Sequence, residues 1–169
     1  MRTLAASLIA AALSILVLNA QQTGAPIDPP ASARAVLQAK GEGVQIYTCT
    51  NASGSLKWAL KAPDAKLLDD SGKEIGSHFA GPTWKLADGS QVQGALVASM
   101  PSPEAGSVPW LLLRAKPGTA TGTFANVAFI RRTETHGGAA PESGCQTSVD
   151  AGKTAQIPYS ATYTFYAEK

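Results

Sequence analysis

The feature that most constrains this chain is a recurring device: short stretches of alternating residues, each returned on itself by a glycine-containing turn. Alternation places successive side chains on opposite faces of a strand. Val44, Ile46 and Thr48 share one face, with Tyr47 and Cys49 on the other. Turn residues follow at 51–55, after which Leu56, Trp58 and Leu60 alternate with Lys57, Ala59 and Lys61. The device recurs around Asp69-Asp70-Ser71-Gly72-Lys73 and again around Ala87-Asp88-Gly89-Ser90. Gly54, Gly72 and Gly89 stand at near-equal spacing, and glycine enters the positive φ of a tight turn without steric cost. The pattern predicts a six-strand meander of three hairpins.

Beyond the meander, the stretch from Pro101 to Pro109 has no periodicity and reads as a surface loop. Trp110-Leu111-Leu112-Leu113 is a continuous apolar run, as in a strand buried on both faces. Residues 124–132 alternate again, with Val127 and Phe129 assigned to one face and Ala128 and Ile130 to the other. Residues 133–147 carry no core pattern and read as a long loop pinned by Cys145. The chain closes on Tyr159, Ala161, Tyr163 and Phe165 alternating with Ser160, Thr162 and Thr164. One short helix is expected near the start: Asp28 can cap it, Pro29 and Pro30 suit its first turn, 31–39 is alanine-rich, and Gly41 ends it. The fold class expected is therefore all-β. It is a single-domain β-sandwich or barrel of about nine or ten mostly antiparallel strands with one short N-terminal helix.

The first twenty residues obey a different grammar. Met1-Arg2 supplies a positive start, Leu4 to Leu18 is uncharged and mostly apolar, and a small residue precedes a polar segment. Those are the parts of a secretory signal peptide, with cleavage expected after Ala20 or, alternatively, after Ala25. The run is short for a bilayer span, which needs roughly 20 apolar residues, so an uncleaved anchor is the poorer alternative. The domain division expected is a signal at 1–20, a Pro-rich linker at 21–30 and one β domain at 31–169. The destination is then periplasmic or secreted, with no membrane span after cleavage.

Charge excludes one partner class. The formal net charge is +2, and no basic cluster longer than Arg131-Arg132 occurs, so nothing resembles a nucleic-acid-binding face. Cys49 and Cys145 are the only cysteines. In an exported chain such a pair most simply forms a disulfide, although free thiols or a metal site remain alternatives.

Several stretches resemble a known family, the domain of unknown function 3455, found in exported bacterial and fungal proteins. They are Gly43-Val-Gln-Ile-Tyr-Thr-Cys49, Ile75-Gly-Ser-His-Phe-Ala-Gly-Pro-Thr-Trp84, Asp88-Gly-Ser90, Val108-Pro-Trp-Leu-Leu-Leu113, Ile130-Arg-Arg-Thr133, His136-Gly-Gly138, Gly144-Cys145 and Pro158-Tyr-Ser-Ala-Thr-Tyr-Thr-Phe165. The resemblance implies no activity, cofactor or catalytic residue. It does imply that Cys49 and Cys145 are a shared pair, which favours the disulfide.

The segment from His78 to Trp84 is chemically the most unusual, with an imidazole, a Gly-Pro turn and an indole close together. It reads either as a pocket, with His78 as acid/base or ligand and Trp84 as a stacking floor, or as a turn with Trp84 in the core. His136 lies in the Gly-rich loop, where it can approach His78 or Asp88 as a metal set. Arg131 and Arg132, with Lys85 or Arg114, can form an anion site, or Glu134 can pair with an arginine instead. No G-x-S-x-G, H-E-x-x-H, Walker or G-x-G-x-x-G motif occurs, and nothing implies a cofactor or resident metal. The expectation is a non-catalytic binding or envelope-associated module. It takes a small molecule, sugar or peptide at a face comprising His78, Trp84 and Trp110, with Asp88, Arg131 and His136 as further candidates. Its rivals are a secreted enzyme using His78 and His136 and a purely structural protein.

Overall fold

The computed structural model describes residues 26–52 and 54–168. Eight strands follow one another: β1 (Arg34–Ala52), β2 (Ser55–Leu68), β3 (Glu74–Phe79), β4 (Thr83–Leu86), β5 (Gln91–Met100), β6 (Trp110–Ala115), β7 (Val127–Gly137) and β8 (Thr154–Ala167). Each pairs antiparallel with the next in sequence, and β1 pairs with β8, so the sheet closes on itself as an up-and-down barrel. Closure removes the edge problem of an open sheet and decides between the sandwich and the barrel.

The expected helix over 31–39 is not formed. Residues 34–39 begin β1 and continue the ladder with β8, from Arg34 opposite Ala167 to Thr48 opposite Thr154. Local alanine content favours a helix by tenths of a kcal/mol per residue, whereas the long β8 edge requires partners for its backbone groups. The signal-peptide residues lie outside the described residues. The Pro-rich stretch expected as a linker is, from residue 26, part of the packed body. Ile27 is 0% exposed and seals a small outer core with Leu112 and Phe129.

Among the described residues the strands number eight rather than nine or ten, because 56–61 and 66–68 are one strand, β2. Pro63 falls where β2 has no β3 partner, which is where a strand tolerates proline. The loop expected over 133–147 is also shorter, since β7 runs on to Gly137 opposite Tyr159. A bulge between Thr133 and His136, with Glu134 at φ 49°, breaks the alternation there and hides the strand. A second irregularity between Val127 and Phe129 places Val127 in the main core with Ile130, while Phe129 joins the outer one.

The main core lies inside the barrel. Leu67, Trp84, Val92, Leu113, Ile130, Tyr163 and Phe165 project inward, and Phe124, on a 3-10 turn at Gly122–Phe124, plugs one end. Its ring lies 4.6 Å from that of Phe165. Over the opposite end runs the segment between β7 and β8, tied down by a disulfide between Cys49 and Cys145, whose Cα atoms are 5.5 Å apart. Trp58 Nε1 donates to the Ser143 carbonyl beside it. The six-strand meander is thus five strands in one wall, and the barrel is completed by β6, β7 and β8.

Candidate functional site

Two strands too short to match their neighbours create the site. β2 pairs with β3 only from Ala65 to Leu68, and β5 pairs with β4 only from Gln91 to Gln93. Among the described residues, 55–64 of β2 and 95–100 of β5 therefore lack a ladder partner on one side, and the short β3–β4 hairpin leaves the wall open between them. Two leucines mark this opening. Leu60 sits opposite buried Tyr47 and Leu96 opposite buried Leu113, so both belong to inward-facing registers. Yet Leu60 is 53% and Leu96 63% exposed. The hairpin tip is fixed by Gly94 N–H donating to the Pro82 carbonyl at 3.0 Å and by Lys116 Nζ donating to the Gly81 carbonyl at 2.9 Å.

Behind the opening lies a cavity of about 310 Å³. Its mouth is formed by Leu60, Lys61, Pro63 and the 80–82 turn, and its depth by Gln45, His78, Trp84, Leu111, Leu113, Arg132 and Tyr163. His78 and Trp84 are directly opposite in the β3–β4 ladder, and their rings stack with centroids 4.5 Å apart and planes 11° from parallel. His78 Nδ1 is 2.9 Å from the Thr83 carbonyl, so Nδ1 carries the proton of the neutral ring. Burial, opposed by the Thr83 bond and reinforced by the Arg132 charge, pushes its pKa down to about 4. The ring is neutral at physiological pH.

Room for this arrangement comes from glycines that carry no Cβ. A Cβ on Gly41 would stand 2.6 Å from the Tyr163 ring, and one on Gly94 3.1 Å from the Trp84 ring.

Three polar groups in the interior distinguish it from a packed core. Gln45 is 1% exposed, and among the described residues neither its Oε1 nor its Nε2 finds a partner. Trp84 Nε1 is likewise unpartnered. Arg132, 8% exposed, donates from Nε and Nη2 to the Pro109 carbonyl at 3.1 and 2.8 Å. The Tyr163 phenol is raised by burial and pulled back by the Arg132 charge, while its oxygen lies 3.3 Å from that of Tyr159.

The other residues picked from the sequence are elsewhere. Trp110 packs on the outside of the barrel with Ile27 and Phe129, because alternation along β6 turns Leu111 and Leu113 inward instead. Arg131 is also outside, 3.1 Å from Asp28. Asp88 holds the β4–β5 turn, accepting from Ser90 N–H and Thr123 Oγ1. His136 is exposed and bonded to Glu104. Among the described residues no group of three or more His, Cys, Asp or Glu side chains is placed to hold a metal ion. Sequence reasoning passed over Gln45 altogether. The signal was present, since Gln45 falls in the same alternating register as Tyr47 and Cys49.

Fold and site together define a class: an eight-stranded antiparallel barrel whose interior opens sideways into a cavity lined by indole, amide and guanidinium groups. The chain belongs to the family described as a protein of unknown function (DUF3455), whose profile matches residues 30–167. No curated protein and no solved structure matches the chain.

Proposed function

We propose that the protein is a non-catalytic binding module that holds a small organic molecule inside its barrel, admitted through the gap between β2 and β5. The observation that carries this reading is the Gln45 amide, buried against the cavity with both of its polar atoms unpartnered among the described residues. A buried amide without a hydrogen bond costs about 1–3 kcal/mol, and a ligand that meets it recovers that cost. Eight-stranded barrels have an interior wide enough for side chains or for one small ligand, and a volume of about 310 Å³ is at the lower end for ligand clefts. Such a volume favours a compact molecule over a peptide chain.

The test is titration with a library of small aromatic and aliphatic compounds, read by tryptophan fluorescence and by melting temperature. A binder should lose affinity severalfold in Leu60→Glu, whose exposed side chain contributes little to folding. Binding unaffected by Leu60→Glu and by Gln45→Leu would move the site away from the cavity.

Export belongs to the same reading. It is supported by the charged and apolar residues 1–20 and by the disulfide, a bond that persists in oxidising compartments. Mass spectrometry of protein from the producing cell should find the chain outside the cytoplasm and beginning at Gln21 or Pro26. Full-length chain with free thiols in the cytoplasm would overturn it.

A further inference from the structure

We propose that the molecule held in the barrel carries a carboxylate, and that Arg132 is the side chain that receives it. The inference rests on the small-molecule reading above and names the ligand's chemical class.

Among the described residues Arg132 is a buried cation with no acidic partner: its guanidinium forms no ion pair there, and no Asp or Glu among them lines the cavity. Buried charges are ordinarily paired, because removal from water is costly. The two bonds to the Pro109 carbonyl use two of five guanidinium N–H groups and fix the fork in place, and a further N–H serves the Tyr163 phenol, which still leaves donors over. Arg132 lines the cavity with His78 and Tyr163, and its charge is felt at both as well as at Tyr47 and Tyr159. None of these neighbours is anionic at neutral pH. Among the described residues the only other cation lining the cavity is Lys61, at its exposed mouth. An entering anion therefore meets Lys61 first and Arg132 at depth, with the Gln45 amide as a neutral donor in the same lining.

The rest of the lining limits the anion. Leu111, Leu113 and the Trp84 ring supply an apolar wall, so the charged group is attached to an apolar body. A single interior guanidinium with part of its fork already engaged matches a singly charged, planar carboxylate. A phosphate dianion would demand more donors than the site presents.

Calorimetric titration with two matched pairs tests this: naphthylacetate against naphthylethanol, and octanoate against octanol. Each carboxylate should bind at least about tenfold more tightly than its alcohol, the usual worth of a charge-assisted bond. The preference should survive about 0.5 M NaCl, which screens the exposed Lys61 but not a buried guanidinium. In Arg132→Gln each carboxylate should fall to the level of its alcohol, with the alcohol's affinity kept within about twofold. Equal affinities within both pairs in the wild-type protein would overturn the carboxylate assignment and leave the small-molecule reading standing. No binding by any of the four would overturn the reading on which it rests. Should Arg132→Gln fail to fold, Arg132→Lys retains the cation and the wild-type comparison decides alone.

Discussion

The imidazole of His78 lies flat on the indole of Trp84, 4.5 Å from centroid to centroid, and is buried with its Nδ1 proton directed at the Thr83 carbonyl. A neutral histidine placed this way ties the stability of the barrel to pH.

In the unfolded chain the histidine takes up a proton near pH 6.5, whereas in the fold it does not until about 4. Between those values the unfolded state binds more protons, so stability falls as the pH is lowered, by roughly 1.4 kcal/mol per pH unit at most. Urea midpoints measured from pH 7 to 4 should show this slope in the wild-type protein and lose it in His78→Gln. Identical slopes in the two proteins would remove His78 as the cause.

The Cys49–Cys145 bond closes the barrel's open end by joining β1 to the loop before β8. A closed loop of about a hundred residues restricts the unfolded chain by roughly 4–5 kcal/mol in the chain-entropy model. Reduction should add the mass of two hydrogens and lower the melting temperature substantially, and Cys49→Ala with Cys145→Ala should match the reduced protein. Two thiols alkylated without reductant would refute the bond.

Gly41 faces the Tyr163 ring at a distance that leaves no space for a methyl group. Tyr163 is itself buried and cannot swing aside. Gly41→Ala should therefore cost about 1–3 kcal/mol, the range for overpacking, read as a fall in the urea midpoint without a change in slope. Gly72→Ala is an instructive contrast: nothing crowds it, and its cost comes from φ 82° alone.

Ile27 anchors the lead-in segment on the outer face of β6 and β7. Ile27→Ala should destabilise by about 2–4 kcal/mol, as buried large-to-small changes do. Hydrogen exchange should quicken first at Leu112 and Phe129, against which Ile27 packs. A neutral outcome would mean that residues 26–33 are an appendage after all.

The strand pattern was readable because alternation is a local property. Val92, Leu113 and Phe165 fall in the interior register that their neighbours set, and the turns at Gly54, Gly72 and Gly89 all have positive φ. Positions where pairing overrides local preference were not readable. Ala35 and Ala39 are drawn into β1 by β8, more than a hundred residues away. The bulge at Glu134 disguised β7 by shifting its alternation one residue.

The sequence by itself determined that the chain builds antiparallel strands joined by glycine turns, and it put His78 and Trp84 within one short segment. It also narrowed the cysteines to a single pair. Only the tertiary structure decided that the sheet closes, which of two adjacent arginines faces inward, and that Gln45 and Arg132 meet Trp84 around one cavity. Strand alternation separates two faces without saying which is inside. That distinction comes from the closure of β1 on β8, a contact between distant parts of the chain that no local pattern encodes.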